Sequence, residues 1–186
     1  MDVEAHTFLF ADLVGYTALA DAEGDDRAAT VAIAFLNRAR RLAHRNDAEA
    51  VKALGDAVML RCRDARGAIE LGLALVNEIE ADDALPPVRV GIHSGSAVTR
   101  EGDWFGHGVN VAARLCTVAG GGEVLVSEAA WEAAGRLPAI EVGERRLHWL
   151  KNVTEPVPAR LASIRRRSRV GRWCPKSRKP LRARVA

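Results

Sequence analysis

The chain has 186 residues, 48% hydrophobic and 5% aromatic, enough to close one sizeable core without staples and too few for a second domain of similar size. Its formal charge of +3 conceals two opposed blocks: ten of the 27 basic residues follow Ile164 with no acid among them, leaving a body of −7 and a tail of +10. The acidic start lacks an apolar leader core, no apolar run approaches bilayer length, and Cys62, Cys116 and Cys174 include no Cys-x-x-Cys pair, so a soluble cytoplasmic protein without a disulfide framework or zinc site is expected.

Phe8-Leu-Phe10 is a short apolar run with strand propensity, and Asp12 stands at its carboxyl end, ahead of a turn at Gly15 and an alanine-rich helix start. Residues 25–44 predict a helix with acids at its start, Arg38, Arg40, Arg41 and His44 near its end, and Val31, Phe35 and Leu42 on one face. Two strand-like runs, 50–54 and 58–62, frame a Gly55-Asp56 turn. Asp64 predicts the N-cap of a second helix with an Ile69, Leu73, Val76 stripe, ended by Asp82-Asp83 and Pro86-Pro87. Residues 88–93 predict a central strand, with 96–99 as its hairpin partner after a Ser94-Gly95 turn.

A third helix over 107–118 stops at Gly120-Gly-Gly122, a strand covers 123–126, and Ser127 caps a short helix through Ala134. Residues 140–150 and 157–164 predict a closing hairpin. Helices interleaved with hairpins imply an α+β sandwich with a mixed or antiparallel sheet. Residues 1–164 form the folded domain in this reading, and 165–186, basic and without a periodic apolar face, are expected to be disordered.

Asp12 and Asp56 are the chemically loaded positions, because two strand ends, if adjacent, can put both carboxylates side by side. Like charges at the edge of a core are costly unless a cation neutralises them, and hard divalent ions prefer carboxylate oxygens. Asn110 and Arg114, four apart, project from one helix face. Other candidates carry less. Residues 21–26 lack calcium-loop spacing, His93 and His107 lie far from further zinc ligands, and Gly120-Gly-Gly122 is a helix stop.

Phe10-Ala-Asp-Leu-Val-Gly-Tyr-Thr17, Leu54-Gly-Asp-Ala-Val58, Val90-Gly-Ile-His-Ser-Gly95 and Gly102-Asp-Trp-Phe-Gly-His-Gly-Val-Asn-Val-Ala-Ala-Arg-Leu115 resemble, in order, the blocks of class III nucleotide cyclases. With Leu150-Lys-Asn-Val-Thr-Glu-Pro156 the resemblance spans about residues 5–164, a whole catalytic domain. It implies a ferredoxin-like βαββαβ core with extensions. It further implies that Asp12 and Asp56 hold two Mg2+ or Mn2+ ions while the loop Leu13, Val14, Gly15, Tyr16 and Thr17 meets the triphosphate.

Lys52 and Asp103 occupy the family's base-reading positions. A lysine donor beside a carboxylate acceptor matches N1 and the exocyclic amine of adenine and mismatches guanine. In the same resemblance Asn110 orients the ribose, Arg114 stabilises charge on the phosphoryl oxygens and Lys151 binds triphosphate. Glu123 departs from the pattern, since some members carry an arginine there. The expected activity is adenylate cyclase, ATP to cyclic AMP and pyrophosphate, in a homodimer whose partners supply complementary halves of each site. A guanylate cyclase and an inactive nucleotide-binding regulator are the alternatives. No stable nucleic-acid or membrane partner is expected, the tail offering at most weak contact with anionic surfaces.

Overall fold

From Ala5 to Leu13 the chain forms β1, and its alternating side chains are buried on both faces: Leu9, Ala11 and Leu13 in one apolar cluster, Phe8 and Phe10 in another. A strand buried twice belongs in the middle of a sheet. The computed structural model describes residues 5–165 and continues through α1 (Tyr16–Glu23), α2 (Asp25–Arg45), β2 (Ala48–Leu54), β3 (Ala57–Cys62), α3 (Ala65–Glu80) and β4 (Val88–Ser96). Then come β5 (Val98–Arg100), β6 (Asp103–Phe105), α4 (His107–Val118), β7 (Val124–Ser127), α5 (Glu128–Ala134), β8 (Ile140–Val142), β9 (Arg146–His148) and β10 (Val157–Ile164).

The main sheet runs β2-β3-β1-β4-β7-β10-β8, with β9 also on β10. Its first four strands and the helices between them are the βαββαβ core, and β4 with β7 is a parallel pair in an otherwise antiparallel sheet. The chain is therefore α+β with a mixed sheet.

Two layers flank it. On one face α2 and α3 present Val31, Phe35, Leu42, Ile69, Leu73 and Val76 to Leu9, Leu60, Val90 and Ile92. Each large side chain buried this way contributes about 1.5–3 kcal/mol relative to an exposed position. On the other face α4 sets Val109, Ala112 and Cys116 against Phe8, Phe10 and Met59. Asp64 caps α3 by accepting from the Gly67 amide at 2.7 Å, and Ser127 caps α5 by accepting from the Ala130 amide at 3.1 Å.

Two sequence expectations fail. Residues 96–99 are not the hairpin partner of β4. That strand stays extended through Gly95 and Ser96 because β1 is long enough to pair with both, through His6 and Ala5. The chain reverses instead at Glu101 and Gly102, both at positive φ (51° and 77°), a two-residue turn that joins β5 to β6 as a separate ribbon. Residues 140–150 are likewise not one strand. β8 and β9 pair with opposite ends of β10, with Gly143 in the break donating its amide to the Leu161 carbonyl at 2.9 Å. The disorder expected beyond Arg165 lies outside the described residues. No helix among those residues is long and apolar enough to cross a membrane.

Candidate active site

Asp12 lies near the end of β1, opposite Ala57 of β3 on one side and Arg89 of β4 on the other. The β2–β3 turn carries Asp56 to the same sheet end, where its carbonyl accepts from the Leu13 amide at 3.4 Å. Burial first, and then the neighbouring charge of Asp12, push the Asp56 carboxyl above its ordinary range. Two close carboxylates of this kind fit a hard divalent cation, since every side-chain donor is an anionic oxygen. Among the described residues no third His, Cys, Asp or Glu completes a cluster, so further ligands would be backbone oxygens, water or a bound phosphate.

The loop after Asp12 is pinned. Val14 donates to the Pro87 carbonyl at 2.8 Å, so the Leu13 and Val14 amides are already occupied within the protein. Gly15 sits at φ 81° at the start of α1, which has no side-chain cap, and the amides of Gly15, Tyr16 and Thr17 are therefore the loop's available donors. Of the five loop positions expected to meet a triphosphate, these three have amides without a backbone partner among the described residues.

Arg89 is the site residue that sequence reasoning missed. Its Nε and Nη2 donate to Asp12 Oδ2 at 2.9 and 2.5 Å, and its Nη1 donates to the Thr117 carbonyl at 3.0 Å, near the end of α4. The available signal was a lone cation in the apolar run Val88-Arg-Val-Gly-Ile92, which a buried strand tolerates only beside a counter-charge.

A second cluster forms on the β2 side. The pairing of β2 with β3 shifts register between Ala50 and Lys52. Lys52 Nζ donates to Asp103 Oδ2 at 2.5 Å and lies 5.6 Å from the centre of the Phe105 ring. The Lys52 hydrogen bond, followed by the Trp104 amide at 2.8 Å, holds the Asp103 carboxyl below its usual range. The β5–β6 turn delivers Asp103 here, and that turn was the one misread from sequence.

Between the two clusters lies α4. A Cβ on Gly91 would stand 2.1 Å from the Cys116 backbone nitrogen, so glycine is what lets the helix rest directly on β4. With Val109, Ala112 and Cys116 turned inward, Asn110 is exposed and Arg114 half-buried, and neither side chain has a hydrogen-bond or ion-pair partner among the described residues. Lys151 is exposed in the turn before Asn152 and has no hydrogen-bond or ion-pair partner among the described residues. Glu123 closes its own loop by accepting from the Gly120 amide at 2.7 Å.

A family model described as the adenylate and guanylate cyclase catalytic domain matches residues 2–148. The chain belongs to this family. A pH-sensitive adenylate cyclase of Mycobacterium tuberculosis is 38% identical over 151 residues, covering 78% of this chain and 38% of that protein. An adenylate cyclase of Streptomyces coelicolor is 39% identical over 120 residues, covering 64% of this chain and 32% of its own length. The cyclase domain described here thus spans about a third of these curated relatives.

Among solved structures, the adenylyl cyclase CyaB from P. aeruginosa superposes with a TM-score of 0.74 at 21% identity, covering 90% of this chain and 98% of its own. The catalytic core of a rhodopsin-guanylyl cyclase with converted specificity, in complex with ATPalphaS, gives 0.77 at 18% identity, covering 88% and 97%. These likenesses establish a cyclase fold. Because they include both adenylyl and guanylyl cyclases, the backbone does not select the base.

Proposed function

We propose that this domain is an adenylate cyclase that converts ATP to 3′,5′-cyclic AMP and pyrophosphate at two equivalent sites of a homodimer. The observation that carries the reading is the Lys52–Asp103 contact, a donor and an acceptor held side by side at 2.5 Å. Adenine offers an acceptor at N1 and a donor at its amine, so it satisfies both groups. Guanine offers the reverse and leaves each unpaired. The adenylate cyclases among the relatives support the same choice.

Asp12 and Asp56 are the residues that would hold two Mg2+ or Mn2+ ions. When bound, such ions acidify the ribose 3′-hydroxyl and neutralise the departing pyrophosphate. The 3′-oxygen forms a bond to the α-phosphorus, the bond from that phosphorus to the α–β bridging oxygen breaks, and the hydroxyl proton passes to solvent. Gly15, Tyr16 and Thr17 direct amides at the phosphates from the start of α1. Asn110 orients the ribose, Arg114 meets charge on the phosphoryl oxygens, and Lys151 adds a cation at the triphosphate.

This assignment of roles calls for a second copy of the chain. Asn110 and Arg114 point away from their own sheet, and Leu54, Val98 and Phe105, each about half exposed, surround the Lys52–Asp103 pair with apolar surface. A two-fold partner covering that surface brings these groups over its own Asp12 and Asp56. The test is incubation of purified protein with ATP or GTP and Mn2+, measuring cyclic product. Wild type is expected to prefer ATP, Asp56→Ala to be inactive, and Lys52→Glu to lose the preference. Absence of cyclic product from either nucleotide overturns the enzyme reading; an unchanged product ratio in Lys52→Glu removes that residue from base selection.

A further inference from the structure

We propose that Arg89 is the resident counter-ion of the carboxylate pair, and that a divalent cation entering the site competes with it for Asp12. This rests on the metal-site reading of Asp12 and Asp56 and goes beyond it by naming the group that sets the pair's affinity. Arg89 and Asp12 stand opposite each other in register across β4 and β1, so the guanidinium meets the carboxylate without a long reach. Two of its N–H groups converge on one oxygen, Oδ2, and a third holds the Thr117 carbonyl. The side chain is thereby fixed at three points, with the ion pair largely shielded from water at 27% and 18% side-chain exposure.

The charge on Arg89 is permanent, so proton loss cannot clear the way for a metal ion as it could for a lysine or histidine. An approaching divalent ion therefore meets two carboxylates and one fixed cation. It gains Oδ2 only as the guanidinium withdraws, and meets repulsion while the guanidinium stays. Withdrawal does not strand Arg89. The Thr117 carbonyl belongs to the last turn of α4, the negative end of that helix, which retains the guanidinium when Asp12 is taken. Arg89 thus has two anchors, one of which the metal ion can replace, and it keeps Asp12 and Asp56 compatible with each other while no cation is bound.

The experiment is Mn2+ binding to the full-length, nucleotide-free protein, followed by the electron paramagnetic resonance signal of free Mn2+. Arg89→Gln is expected to bind Mn2+ about tenfold more tightly than wild type, Arg89→Lys to stay within about threefold of it, and Asp12→Asn to lose the site. Unchanged or weaker binding in Arg89→Gln, with binding lost in Asp12→Asn, overturns the counter-ion role alone. Unchanged binding in Asp12→Asn overturns the metal site beneath it. A measurement on wild type guards against a variant that does not fold. The Arg89 Nε–H resonance is expected to shift during a Mg2+ titration and to be unresponsive in Asp12→Asn, and a resonance that stays still in wild type sinks the proposal.

Discussion

Lys52 and Asp103 lie 51 residues apart in the chain and 2.5 Å apart in space, and their side chains remain about one-third exposed. An ion pair at the protein surface contributes little to stability, which leaves the two groups available for the recognition proposed above. Asp103→Ala is therefore expected to leave the melting temperature within about 2 °C of wild type while lowering kcat/KM for ATP by roughly 10- to 100-fold. Parallel thermal melts and initial rates check this; a large loss of stability would assign the pair to the fold.

The proposed division of labour across a homodimer predicts complementation. Asp56→Ala and Arg114→Ala each disable both sites of their own homodimer, the latter by about 100- to 1,000-fold in kcat. Mixed in equal amounts after subunit exchange, half of the dimers are hybrids with one intact site, and activity is expected to return to about a quarter of wild type. Recovery is read by cyclic AMP formation against each variant alone, and mixing without recovery contradicts a shared site.

Asp56 is stabilised in its protonated form by burial and by Asp12, so its carboxyl titrates higher in the folded chain than in the unfolded one. The folded state then binds more protons across that window, and stability declines as pH rises through it from the ordinary carboxylate value. Asp56→Asn is expected to raise the melting temperature of the metal-free protein at pH 7, with the gain shrinking toward pH 4. Adding Mg2+ should stabilise wild type and not the variant, by linkage to cation binding. Differential scanning calorimetry with and without Mg2+ measures both effects.

His93 gives the opposite slope. It donates to or accepts from Ser127 Oγ at 2.9 Å, beside a cavity of about 240 Å³ also lined by His107 and Glu155, and burial followed by the charge of His107 lowers its pKa to about 4. Between pH 6.5 and 4 the unfolded chain takes up a proton that the folded one refuses. The contribution of His93 is thus level above pH 6.5 and turns against the folded state below it, by on the order of 3 kcal/mol at the low end. His93→Gln is expected to flatten this limb in urea titrations at stepped pH; an unchanged slope assigns the acid sensitivity elsewhere.

Much of the architecture was legible in the residues because its signals are local. Asp64 and Ser127 announce helix starts by an oxygen within three residues of an amide, and the 107–118 helix runs from a glycine to a glycine cluster with the periodicity of one buried stripe. The turn at Glu101-Gly102 was missed because the earlier Ser94-Gly95 pair carries a recognised turn signal of its own. Only the length of β1, which pairs with β4 out to Ser96, removes that choice.

The amino-acid order by itself determined which side chains are present for chemistry: two aspartates at turns, a lysine and an aspartate in family motifs, and an Asn–Arg pair one helical turn apart. It could not say what faces what. The pairing of Arg89 with Asp12 across 77 residues, the convergence of Lys52 on Asp103, and the prior use of the Leu13 and Val14 amides were decided by sheet register and by the resting of α4 on Gly91. The physical reason is that side-chain periodicity is written over three or four residues, whereas register between distant strands is chosen only when the whole core closes and each buried charge must find its partner.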